Sequence, residues 1–195
     1  NVPALPGRSL VLVDASGSMT WTHAAGEFSE LMCRDVAGIF GVALAQRAES
    51  GDLIRFGAES HPVPLHRGGS LLKAADLFPD MGGTWTREAI QKWYNGHDRV
   101  VVITDEQAAD GDVFASVPDH VPCYTWNVAG HKVSHARHGG GFNHPRAYLF
   151  GGLSDAAFSL IPLLDDLSEE ARAMGAVNTV RSEEHTSELQ SRSAI

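Results

Sequence analysis

The stretch Leu10-Val11-Leu12-Val13-Asp14-Ala15-Ser16-Gly17-Ser18 sets an unbroken apolar run directly against a carboxylate and two hydroxyls. Four consecutive apolar residues read as a strand buried on both faces, the mark of a parallel sheet covered by helices. Asp14, Ser16 and Ser18 follow at i, i+2 and i+4. An extended chain turns alternate side chains to one side, so these three oxygens can converge on one point. Gly17 and the following Met19-Thr20 let the backbone bend around it. A small hard cation suits such a set: Mg²⁺ takes oxygen ligands, demands near-octahedral geometry and keeps several waters. The same residues also suit a strand-to-helix turn in which Asp14 or Ser18 caps a helix. The pentapeptide alone leaves both readings open.

Working outward, strands and helices alternate. Ser9–Asp14 is the first strand, and Phe28–Arg47 carries apolar residues at helical spacing (Leu31, Met32, Val36, Ile39, Phe40, Leu44), with Ser50-Gly51 as its expected C-terminal cap. Asp52–Phe56 reads as a second strand. His61–Leu65, with Pro62 and Pro64, can only be a short edge strand. Ser70–Phe78 and Thr86–Tyr94 read as helices around a loop at Pro79–Gly83. Arg99–Asp105 is the second clear buried strand, followed by strands at Val121–Val128 and Ala147–Phe150 and a closing helix at Asp155–Leu167. The expected fold is therefore α/β, a doubly wound, mainly parallel, Rossmann-like sheet flanked by helices. Ligands in such sheets sit at the carboxyl ends of the strands. Asp14 and Asp105 each end one of the two most hydrophobic strands, so both belong at that edge. Gly82-Gly83-Thr84, before a helix on the same edge, offers another hydroxyl.

Composition narrows the function classes. A chain of 195 residues with 43% hydrophobic content can core one domain. Its formal charge of −9, without a basic stripe, argues against a nucleic-acid grip through its own surface. Cys33 and Cys123 both lie in apolar contexts and read as buried free thiols of a reducing compartment. No apolar run approaches the ~20 residues that span a bilayer, so no membrane is expected. Residues 1–7 read as a linker from a longer chain and 168–195 as a tail. From Arg181 the run RSEEHTSELQS resembles one frame of a common sequencing adapter, and 181–195 are set aside as read-through.

With Asp14, Ser16 and Ser18 in DASGS, Thr84 in GGTWT and Asp105 in VVITDE, residues 8–167 resemble a von Willebrand factor A domain. The resemblance implies a metal-ion-dependent adhesion site for Mg²⁺ or Mn²⁺. Ser16 and Ser18 would ligate directly and Thr84 directly or through water. Asp14 and Asp105 would bind directly or hold coordinated waters. One position would remain for water or a partner's carboxylate. Thr86, the rival threonine, would instead open the helix. GGTWTREAI, TDEQAADG and YLFGGLSDAAFSLIPLLDDL extend the likeness to the A domain that ends Ro-type, TROVE-domain RNA-binding proteins. That implies a cytoplasmic ribonucleoprotein whose missing N-terminal helical ring, rather than this part, binds RNA. The alternative is an A domain of another intracellular class, for example one working with a chaperone-like ATPase.

Binding rather than catalysis is expected, since neither a general base nor an activated nucleophile accompanies the metal set. Glu106 follows Asp105 but turns away if the strand continues; it is kept with Trp21 as a partner contact. His131, His135, His138 and His144 crowd a Gly-rich loop and read as solvent-exposed rather than zinc-binding. The nearby HGGG resembles an esterase oxyanion loop, but no G-x-S-x-G elbow exists. Trp85, Trp93 and Trp126 read as core or rim aromatics.

Overall fold

The computed structural model describes residues 4–25, 30–65, 74–105, 112–129, 143–151 and 159–166. In chain order the elements are β1 (Leu5–Asp14), α1 (Gly17–Trp21), α2 (Cys33–Arg47), β2 (Ala48–Phe56), β3 (Ser60–Pro62), a 3₁₀ turn (Ala75–Leu77), α3 (Thr86–Trp93), β4 (Arg99–Thr104), β5 (Cys123–Asn127) and β6 (Ala147–Gly151). A helix over 159–166, here α4, follows them.

The strands form one six-stranded sheet in the order β3-β2-β1-β4-β5-β6. Every pairing is parallel except that of β3, which runs antiparallel to β2. The fold is the expected α/β doubly wound sheet. Its physical basis is the near-continuous apolar character of β1 and β4. Leu10 to Val13 and Val100 to Ile103 are all fully buried, so both faces of these strands need cover. Val11, Val13, Val101 and Ile103 pack on the α2 side with Val36, Ala37 and Leu44. Leu10, Leu12, Val100 and Val102 pack on the opposite side with Ala89 and Ile90 of α3. Each such side chain contributes roughly 1.5–3 kcal/mol when fully buried. From β1 the chain moves outward to β2 and β3, then returns across the sheet to β4. The strand order therefore reverses between β1 and β4, which makes their carboxyl ends the switch point.

Several boundaries differ from the sequence reading. β1 begins at Leu5, inside the stretch read as a linker: Leu5 is buried and pairs with Ala48. The register shifts between Leu5 and Arg8, where Gly7 takes φ +72°. Within the described residues α2 begins at Cys33, not at Phe28. Residues 30–32 turn back instead, with Ala24 N–H donating to Leu31 O (2.9 Å) and Cys33 N–H to Thr22 O (2.8 Å). Ser50-Gly51 is no helix cap. The chain passes from Arg47 straight into β2, and a Cβ at Gly51 would meet Ala45 O at 2.4 Å. The glycine serves this close passage under the end of α2. The helix expected at Ser70–Phe78 shows its 3₁₀ turn at Ala75–Leu77, and 70–73 lie outside the described residues. The helix expected at Asp155–Leu167 is seen over 159–166.

At the opposite, amino edge, charged groups fasten the elements. Arg99 donates from Nε to Asp165 Oδ2 (2.8 Å), from Nη1 to Pro6 O (2.6 Å) and to Ser9 Oγ (2.8 Å), and Tyr124 OH donates to Asp165 Oδ1 (2.6 Å). This buried cluster joins α4 to the sheet. Nearby, Asp52 Oδ2 accepts from Arg8 (2.9 Å) and lies 2.8 Å from His97 Nε2. His97 Nδ1 takes the Asn95 N–H, which leaves Nε2 as the donor to Asp52. Burial alone would raise the Asp52 carboxyl, but the hydrogen bonds from His97 and Arg8 outweigh it and hold it below its usual value.

Two outcomes follow from this architecture. Gly51→Ala should lower unfolding free energy by about 1–3 kcal/mol in urea titrations, because the obstructing atom is helix backbone that cannot swing aside. A depressed carboxylate stabilises the fold above its unfolded-state value and loses that contribution as the pH falls through the folded one. Melting temperature should therefore fall more steeply below about pH 4 in the native chain than in Asp52→Asn.

Candidate metal centre

The β1–β4 register brings the centre together. Val13 pairs with Ile103, so the next residues, Asp14 and Thr104, lie side by side, and Asp105 leaves β4 immediately beyond. Asp14 is fully buried and Asp105 nearly so. Asp14 Oδ2 accepts a hydrogen bond from Thr104 Oγ1 (2.6 Å), and Asp14 Oδ1 accepts from Ser16 N–H (2.8 Å). The Ser16 and Ser18 hydroxyls stand 3.2 Å apart. Adjacent octahedral ligands at about 2.1 Å stand about 3.0 Å apart, so this separation is close to that of two neighbouring ligands.

The helix-cap alternative fails on geometry. Ser16 is the N-cap residue of α1, yet its side chain makes no capping hydrogen bond, and Ser18 lies within the helix. Asp14 spends one oxygen on the Ser16 backbone, two residues on, which is a local turn bond rather than a cap on α1.

The loop carrying Thr84 is stitched to the same place. Met81 N–H donates to Ala15 O, Gly17 N–H to Gly82 O and Ala58 N–H to Met81 O, each at 2.8 Å, and Trp85 N–H donates to Gly57 O at 3.2 Å. Gly82 adopts φ +78°, which turns the chain toward Thr84, a half-buried residue. Thr86 is the first residue of α3 and is buried. The structure thus gathers Asp14, Ser16, Ser18 and Asp105 at one edge, with the Thr84 loop bonded to their backbone.

Electrostatics set the demand on this site. Burial pushes the Asp14 carboxyl up to about 6, and the negative charge of Asp105 adds to the rise, while hydrogen bonds from Thr104 and Ser16 oppose it. The hydrogen-bond donors to Asp14 are neutral, and the charge beside it has the same sign. A divalent cation would offset both carboxylates. Among the described residues no three His, Cys, Asp or Glu side chains are grouped to hold a metal. An ion here would rest on two carboxylates, hydroxyls and waters, which is the chemistry of Mg²⁺ or Mn²⁺ rather than of zinc. The donor set therefore fits the ion that the sequence implies.

The remaining candidates separate clearly. Trp21 ends α1 and is 79% exposed; standing three residues after Ser18, it shares that side chain's face of the turn. Trp85, expected in the core or at its rim, is 47% exposed beside Thr84. Trp126 is fully buried, and Trp93 donates from Nε1 to Ser60 Oγ (2.9 Å). Glu106 lies outside the described residues, as do His131, His135 and His138. His144 is not the exposed loop residue expected: it is 6% exposed, with Nε2 3.2 Å from Pro118 O and Nδ1 accepting from Arg146 N–H. Both cysteines are buried free thiols. Burial and then the charges of Asp105 and Asp14 push the Cys33 thiol up to about 12, so it stays protonated and donates to His23 O. Sequence reading missed Thr104, which only the strand register pairs with Asp14. It also missed Asp80, whose carboxylate lies beside Gly17.

Comparison with known proteins speaks to the fold. A scan against protein-family models finds no match, and a search of curated proteins finds none. Among solved structures the chain is similar to the Ro (RSR) protein of Deinococcus radiodurans, with TM-score 0.61 and 17% identity over 85% of this chain. This chain spans 34% of the length of that one. A looser likeness, at TM-score 0.49 and 14% identity, is to an aerotolerance-related membrane protein of Bacteroides fragilis carrying multiple mutations to serine, over 82% of this chain and 98% of that one. No helix among the described residues is long and apolar enough to cross a membrane.

Asp14→Asn keeps the side chain's shape, and the Thr104 hydroxyl can rotate to accept from the new amide. Without divalent ions near neutral pH this variant should be more stable than the native chain by about 1–3 kcal/mol in urea unfolding, since it removes a buried, uncompensated charge. A large loss of stability would show that the carboxylate is there for the fold alone.

Proposed function

We propose that this chain is a metal-dependent binding module of the von Willebrand factor A type. The observation that carries the reading is the buried Asp14 carboxylate, held by neutral donors next to a second carboxylate at the switch point of the sheet. Asp14, Ser16, Ser18, Thr84 and Asp105 would hold one Mg²⁺ or Mn²⁺. When bound, that ion supplies an electrophilic position open to an outside oxygen ligand. Asp14 and Asp105 set the charge balance: two carboxylates nearly neutralise a divalent ion, so an incoming carboxylate from a protein partner is attracted rather than repelled. Ser16 and Ser18 present neutral oxygens and add no charge. Trp21 offers an exposed aromatic face beside them for the partner to bury, and Glu106 follows Asp105 in sequence as a second contact.

An ion with one position open to an outside oxygen, on carboxylates that balance its charge, supports binding over turnover. The likeness to the Deinococcus Ro protein supports a finer reading, in which this is the C-terminal A domain of a cytoplasmic Ro-like, TROVE-type ribonucleoprotein. In that reading small non-coding or misfolded RNA is bound by an N-terminal helical ring. The net charge of −9 agrees with such a division of labour.

Ligand binding to the folded state alone stabilises by about 2.7 kcal/mol at a hundredfold excess over Kd. Millimolar Mg²⁺ should therefore raise the melting temperature by several degrees, with no shift in Asp14→Ala or Asp105→Ala. An equal shift in native and substituted chains would place any bound ion elsewhere.

A further inference from the structure

The loop ahead of Thr84 brings a third carboxylate beside Gly17 of the serine loop. Asp80 Oδ1 accepts from Gly82 N–H at 2.9 Å, which fixes the side chain within its own turn. The turn is in turn fixed to the end of β1 by Met81 N–H to Ala15 O and Gly17 N–H to Gly82 O. As a result the Asp80 carboxylate lies flat against Gly17: a Cβ built there would stand 3.8 Å from Oδ1 and 3.9 Å from Oδ2. Gly17 is the residue between Ser16 and Ser18, whose hydroxyls face each other across 3.2 Å. Oδ2 of Asp80 takes no hydrogen bond from the described protein groups, and the residue is exposed.

We infer that Asp80 is an outer-shell positioning residue of the metal centre, accepting a hydrogen bond from a water held by the ion. This rests on the metal reading above. Mg²⁺ gives up its waters reluctantly, so a site made of two carboxylates and hydroxyls leaves coordinated waters whose hydrogens need acceptors. Asp80 Oδ2 is an anionic acceptor with a free lone pair at the loop that carries both serines. Because Gly17 lacks a side chain, no side-chain atom of its own stands between that carboxylate and the serine loop. The Asp80 charge is solvent-exposed, so salt screens it beyond about 10 Å.

Titrating Mg²⁺ into the native chain, Asp80→Asn and Gly17→Ala by calorimetry tests this. Asparagine retains Oδ1 as acceptor for Gly82 N–H, so the metal-free melting temperature should not move while Mg²⁺ affinity falls about tenfold, the usual scale for outer-shell partners. Gly17→Ala puts a methyl at ordinary contact distance from the carboxylate, between it and the serine loop; it should weaken Mg²⁺ several-fold. If Asp80→Asn lowers the metal-free melting temperature, Gly17→Ala decides. Unchanged Mg²⁺ affinity in Gly17→Ala, or in a stably folded Asp80→Asn, overturns the role of Asp80 and leaves the metal reading intact. A native chain that takes up no more Mg²⁺ than Asp14→Asn overturns both.

Discussion

The parallel register of β1 against β4 is the constraint on which the centre depends. Pairing Val13 with Ile103 sets Asp14 beside Thr104 and delivers Asp105 to the same edge. Two carboxylates are thereby buried together, and the charge of Asp105 adds to the cost of burying that of Asp14. Burying the Asp14 charge carries a desolvation penalty that a bound cation would offset.

The surrounding fold holds that register rigidly. A Cβ at Gly41 would meet Val13 Cγ2 at 2.3 Å, so α2 lies directly on the strand that ends in Asp14. The Pro79–Gly83 loop is bonded both to the end of β1 and to the turn after β2. Three separated segments are in this way set against one another by backbone hydrogen bonds, which do not depend on side-chain rotamers. A site built from short serine and threonine side chains needs such backing, because these groups have little reach of their own. The two exposed tryptophans, Trp21 and Trp85, flank the segments that carry Ser18 and Thr84. In the proposed reading they would give a partner apolar area to bury around an otherwise polar contact.

Much of this was legible in the chain. The unbroken apolar runs of β1 and β4 declare a covered parallel sheet, and the carboxylates at their ends meet at one edge of it, as their positions in the sequence imply. What escaped the reading depends on distance in space rather than on local pattern. Thr104 is an ordinary strand residue until the register sets it against Asp14. Ser50-Gly51 looks like a helix cap because glycine serves both caps and close approaches, and only the proximity of Ala45 O separates the two. His144 reads as a loop residue by its glycine-rich surroundings, yet Pro118 and Arg146 enclose it. Asp80 carries no motif; its place beside Gly17 follows from how the loop folds back.

The most direct test of the central claim is diffraction from crystals grown with Mn²⁺, recorded for anomalous scattering. The account predicts one manganese peak at the carboxyl ends of β1 and β4, within bonding distance of the Ser16 and Ser18 hydroxyls and bordered by Asp14, Thr84 and Asp105. A map with no peak there, or with its manganese held by other residues, would contradict it.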